Sequence, residues 1–188
     1  MKKGTLLLAI LTFVAVTLSS QTKKVDIALS EIIWTGEKVT GEHTGKIAFK
    51  KGKLEMTDKK IVGGEFVIDM NSITCSDIEN KDYNTKLVGH LKSDDFFGVE
   101  TYPESSLKLT KVTSNGDKYD VKGDLTIKGK THPVSFKVSN SGNTFEGKFK
   151  VDRTKYDVRY GSGQFFDNLG DKMIYDEFEL AFKVVVLK

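Results

Sequence analysis

Between Lys118 and Lys128 apolar and polar residues take turns. Tyr119, Val121, Leu125 and Ile127 share one parity; Lys118, Asp120, Lys122, Asp124, Thr126 and Lys128 share the other. A period of two is the signature of a strand with one buried and one wetted face. The same pattern recurs on both sides. Leu107 and Leu109 alternate with Lys108 and Thr110. Val134, Phe136 and Val138 alternate with Ser135, Lys137 and Ser139. Phe145, Phe149 and Val151 alternate with Glu146, Lys148, Lys150 and Asp152. Near the end, Ile174, Phe178, Leu180, Phe182, Val184 and Val186 fall on one face of a long run. Earlier, Phe66, Ile68 and Met70 oppose Glu65, Val67 and Asp69.

Short turn signals separate these runs: Lys51-Gly52-Lys53, Asn115-Gly116, Lys128-Gly129-Lys130 and Asn140-Ser141-Gly142-Asn143. Such short connections demand antiparallel neighbours, since a parallel crossover needs a dozen or more residues. The count is about eight strands, in meander order from Leu107 onward. Gly63-Gly64 reads as a bulge or bend. Only residues 76–98 break the pattern. Leu87, His90, Leu91, Phe96 and Phe97 stand there at loose helical spacing, with Ser76 and Asp77 as N-cap residues. The expectation is two short helices or turns, ending before the extended pair Tyr102-Pro103.

An amphipathic sheet must bury its apolar face on another sheet, on helices, or on itself. Helical sequence is too scarce to cover eight strands. The length of Met173 to Val186 favours a barrel over a sandwich, and closure removes exposed strand edges. The fold expected is therefore all-β: an extended eight-stranded antiparallel barrel with a short helical segment around residues 76–98. Eight strands leave room for packed side chains or for one small ligand, and alternation alone accepts either.

The chain's first residues follow a different rule. Lys2 and Lys3 precede an apolar run from Leu6 to Leu18, and Ser19, Ser20 and Gln21 follow. That is the layout of a secretory signal peptide, with cleavage expected near Ser20, and the run is short for a membrane span. The division expected is a signal peptide over 1–20 and one domain over 21–188. Without Lys2 and Lys3, 27 basic residues face 26 acidic ones, about +1. That balance carries no footprint for nucleic acid. Cys75 is the only cysteine, so no internal disulfide forms and burial must hold the fold.

Reactive constellations are scarce. His43, His90 and His132 lie far apart without metal-ligand spacing. Asp94-Asp95 is an adjacent pair suited to a turn, and adjacency alone does not position a general acid and base. Gly161-Ser162-Gly163 lacks the lysine of a phosphate loop, and no nucleophile elbow occurs. Tyr119, Arg153 and Asp176 are the polar groups that an enzyme inside the barrel would have to use. No catalytic residue, metal or cofactor is expected.

The most distinctive stretch is Gly89-His90-Leu91-Lys92-Ser93-Asp94-Asp95-Phe96-Phe97, followed by Tyr102-Pro103. It resembles the signature of the YceI-like family of periplasmic polyisoprenoid-binding proteins. Phe66 to Ile73 looks like that family's strand leading into the motif, and Tyr119 to Gly129 like its G-x-L-T-I-x-G strand and turn. The resemblance runs from about Val25 to Val186. It implies a lipocalin-like barrel whose tunnel takes a long-chain lipid such as a quinone or polyprenyl lipid. It also implies a periplasmic location, no stable membrane insertion, and room for a homodimer. The lipid would lie against the inward residues named above: Phe66, Ile68, Leu107, Leu109, Tyr119, Val121, Leu125, Ile127, Phe136, Phe145, Phe149, Phe178, Leu180 and Phe182. Trp34, Phe96 and Phe97 would stand near a mouth. The polar, glycine-rich stretch Thr35 to Gly45 departs from the family's aliphatic entry and bears on the shape of that mouth.

Overall fold

A computed structural model of the chain describes residues 20–187. The expected signal segment lies, but for Ser20, outside the described residues. The alternating runs become strands: β1 (Gln21–Lys24), β2 (Glu31–Lys38), β3 (Gly41–Thr57), β4 (Lys60–Asp69), β5 (Glu104–Asn115), β6 (Lys118–Ile127), β7 (Lys130–Ser141), β8 (Thr144–Asp152) and β9 (Ile174–Val185). Among the described residues one α-helix, α1 (Lys81–Lys92), stands between β4 and β5.

Each strand from β2 to β9 pairs antiparallel with the next, and β9 pairs back onto β2. The result is a closed eight-stranded barrel. The ninth strand adds no position to the ring. β1 pairs with Lys53–Met56 of β3, while β2 pairs with the opposite half of β3. Val25 then bridges Val186. β1 and β2 thus lie end to end between β3 and β9, as one strand interrupted at residues 25–30.

Lys51-Gly52-Lys53 is not a hairpin turn. It lies inside the 17-residue β3, beside a register shift between Phe49 and Lys51. Glycine is required there by crowding: a Cβ on Gly52 would stand 2.8 Å from Val25 Cγ2 and 3.0 Å from Phe66 Cδ1. The real turn is Asp58-Lys59, with φ of 50° and 64°. Positive φ at both central residues is the two-residue hairpin geometry that matches strand twist. Without a glycine it gave no signal in the sequence.

The helical region also differs. Of the two short helices or turns expected, one is a helix of twelve residues and a turn over residues 94–97 follows it; the helix N-cap is Asn80, whose side chain accepts from the Asp82 and Tyr83 N–H groups. Ser76 and Asp77 are not caps because β3 has taken their polar atoms. The Ser76 hydroxyl donates to the Thr44 carbonyl at 3.2 Å, and Asp77 accepts from Thr44 N–H at 2.9 Å.

The interior is unevenly filled. At the end holding the β5–β6 and β7–β8 turns, Leu54, Val121 and Phe145 are each 2% exposed. Tyr119 packs edge-on against Phe145 with centroids 6.4 Å apart. At the end holding the β2–β3 hairpin and α1, side chains of the same parity stay partly accessible, as Phe149, Phe178, Leu180 and Phe182 do. They face a space rather than one another.

Candidate functional site

That space is a cavity of about 320 Å³, within the range of small-ligand sites. Its lining is almost wholly apolar. Trp34, Phe66, Ile68, Phe96, Phe97, Leu107, Leu125, Ile127, Phe136, Phe149, Phe178, Leu180 and Phe182 all line it. Leu109, Tyr119, Val121 and Phe145 do not: they pack toward the filled end, and Leu109 sits against the core from partial cover. Ile32, Ile47, Phe49, Ile73 and Leu87 also face the cavity and were missed. Ile47 and Phe49 alternate within β3, but the polar stretch ahead of them hid the strand's start.

The walls are held by aromatic packing. Phe136 stacks on Phe149 at 4.7 Å and 18°, and Phe182 meets Phe136 edge-on at 5.6 Å. Under α1, Phe96 contacts Phe97 at 5.1 Å and His90 at 5.6 Å. Trp34 reaches the wall because its register partner is Gly45. Its Nε1–H donates to the Thr74 carbonyl at 3.0 Å, which fixes the indole beside the mouth.

Polar groups gather at the open end. Arg153 is 2% exposed. Its Nε donates to the Tyr175 carbonyl, Nη1 to those of Val158 and Tyr160, and Nη2 to that of Ile174, at 2.8–3.1 Å. Nη2 also meets Asp176 Oδ1 at 3.4 Å. Burial lowers its pKa and the Asp176 and Asp152 carboxylates oppose that, so the charge is retained. Of the polar groups an enzyme would need, Arg153 and Asp176 meet here while Tyr119 stands at the other end of the barrel. The three do not converge.

At the same end as Arg153, His43 lines the cavity and its Nδ1 lies 2.8 Å from Asp77 Oδ2. Asp77 Oδ1 accepts from Thr44 N–H at 2.9 Å and from the Cys75 thiol at 3.2 Å. Partial burial would raise this carboxyl, but the hydrogen bonds from His43, Thr44 and Cys75 outweigh it and hold the pKa at about 2. Glu37 and Lys38 line the same end. His132 is elsewhere, edge-on to Tyr156 at 5.2 Å. Among the described residues, no group of three or more His, Cys, Asp or Glu side chains is placed to hold a metal, and no helix is long and apolar enough to cross a membrane.

A family profile described as YceI-like domain matches residues 19–186. The chain belongs to the YceI-like family. Two curated relatives share shorter stretches. A UPF0312 protein of Photorhabdus laumondii is 46% identical over 59 residues, covering 31% of this chain and 29% of that protein. Protein YceI of Escherichia coli O157:H7 is 40% identical over 53 residues, 28% of each. These matched stretches span under a third of the relatives' length. Among solved structures, BcnA of Burkholderia cenocepacia superposes with a TM-score of 0.67 at 28% identity, covering 87% of this chain and 99% of that one. A polyisoprenoid binding domain from Saccharophagus degradans superposes with a TM-score of 0.59 at 14% identity, covering 90% and 98%. The YceI-like barrel of this chain thus has the expected lipocalin-like form.

Proposed function

We propose that this protein binds a long-chain isoprenoid lipid, of quinone or polyprenyl type, and carries or sequesters it without transforming it. The observation that carries the reading is the unfilled, apolar half of the barrel, at the end that holds α1 and the β2–β3 hairpin. Each buried CH2 contributes about 0.8 kcal/mol, so a long chain gains affinity from these walls with few polar contacts. Membership of the YceI-like family supports the same reading, as does the polyisoprenoid-binding neighbour. No cofactor or metal is needed for it. The N-terminal segment supports export to the periplasm, with the mature chain beginning near Gln21.

The test is mass spectrometry of an organic extract from the purified full-length product. An isoprenoid species in stoichiometric amount is the expected result. Repeated extracts without lipid, together with no uptake of added geranylgeraniol, would overturn the reading. Fractionation and N-terminal sequencing of the same product test the export.

A further inference from the structure

On the cavity face of the β2–β3 hairpin the side chains change character at one level. Going toward the mouth, β3 presents Phe49, Ile47, Gly45 and then His43, while β2 presents Ile32, Trp34, Gly36 and then Lys38. His43 is the register partner of Gly36, one step beyond the Trp34 and Gly45 pair. The last apolar rung is therefore followed by an imidazole and, one rung further, by an ammonium.

The neutral imidazole is held in one tautomer. Asp77 Oδ2 takes its Nδ1 at 2.8 Å, and Asp77 is an ionised carboxylate with a pKa of about 2, able only to accept. The ring proton of neutral His43 therefore sits on Nδ1, and Nε2 is left as a hydrogen-bond acceptor. No protein group among the described residues pairs with Nε2. The ring lines the cavity with its side chain 31% exposed, which leaves its edge away from Asp77 accessible.

Resting on the lipid-binding reading above, we infer that His43, oriented by Asp77, is a head-group site that selects isoprenoids ending in a hydroxyl over those ending in an acceptor-only oxygen. A hydroxyl donates to Nε2 and its oxygen can still accept from the Lys38 ammonium at the same end. A carbonyl or ether oxygen offers Nε2 only lone pairs. An unmatched acceptor pair forfeits a hydrogen bond, about 3- to 10-fold in affinity.

The Asp77 contacts also dictate how the preference is undone. Thr44 N–H and the Cys75 thiol both donate to Oδ1. In an Asp77→Asn variant they hold the amide oxygen at that position, which places the amide NH2 where Oδ2 was. That group donates to Nδ1, moving the ring proton to Nε2 and turning the acceptor into a donor.

The experiment compares geranylgeraniol with geranylgeranyl methyl ether, which share one chain and differ in the donor. Affinities are read by titration at pH 8, where imidazoles are ordinarily neutral. The wild type should prefer the alcohol by about 3- to 10-fold. Asp77→Asn should cancel or invert that ratio, and His43→Phe should bring it near one. Equal affinity of the wild type for both probes, or an unchanged ratio in folded Asp77→Asn and His43→Phe proteins, would overturn the head-group assignment while leaving the lumen reading intact. Failure of both probes to bind overturns the lumen reading itself and this inference with it.

Discussion

Arg153 spends its guanidinium on backbone. Four carbonyls from residues 158–175 and the Asp176 carboxylate converge on its N–H groups, and its charge lies 5.7 Å from the Phe96 ring centre. The arginine therefore ties the long β8–β9 connection to the start of β9 and to the aromatic floor under α1. A guanidinium presents its donors in a rigid fork, so neither lysine nor an apolar residue can replace it. Arg153→Met should destabilise the protein by about 3 kcal/mol or more, because several buried carbonyls lose their partners together. Urea denaturation measures this, and an unchanged midpoint would contradict the staple role. In the sequence Arg153 was one polar residue among several on no clear face. What makes it central is convergence of carbonyls distant along the chain, which periodicity does not encode.

At the scale of elements, β3 decides the shape of the mouth. Its 17 residues pair with β1, β2 and β4, and the segment Thr74–Ser76 runs beside its first half, with Thr74 N–H on the Lys46 carbonyl and Ser76 N–H on that of Thr44, both 2.9 Å. Gly45 permits that approach. A Cβ there would fall 1.8 Å from the Thr74 carbonyl oxygen and 2.8 Å from Trp34 Cζ2. Gly45→Ala should therefore shift the Thr74 segment and the indole together, lower thermal stability and alter Trp34 fluorescence. Chain tryptophan is unique, so the emission has one source. Strands β5 to β9 were legible because each alternates cleanly between turns with glycine. The long β3 was not, since Gly41, Gly45 and Gly52 imitate breaks when each is there for close packing or a turn. The N-cap of α1 was misplaced for a related reason: cap-forming side chains at Ser76 and Asp77 had stronger partners on a neighbouring strand.

For the whole molecule, closure of the sheet and the unequal filling of its interior matter more than any one contact. Apolar parity correctly separated inside from outside, yet it could not tell wall from plug. Tyr119 and Phe145 have the same parity as Phe149 and Phe182, and only their height along the barrel axis divides them. Height depends on stagger between strands, which is a property of the closed sheet. The division predicts a clean separation of stability from binding. Ile47→Trp combined with Leu180→Trp adds bulk where there is room, so the fold should persist with a melting temperature within a few degrees, while uptake of a long-chain isoprenoid falls at least tenfold. Val121→Ala at the filled end should do the reverse, costing about 1–3 kcal/mol with little change in uptake. Circular dichroism melts and lipid titration on the same samples distinguish the two.

Cys75 gives this architecture a clock. It is the only thiol in the chain, 9% exposed, in the segment that follows the Thr74 contact with Gly45 and beside the carboxylate that orients His43. Burial raises its pKa, and its hydrogen bond to Asp77 adds to that, so the closed protein offers alkylating reagents almost no thiolate. Labelling by iodoacetamide should therefore be slower in the folded protein than in urea-unfolded protein. The ratio of the two rates then reports how well this flank of the mouth shields its thiol, without any engineered probe.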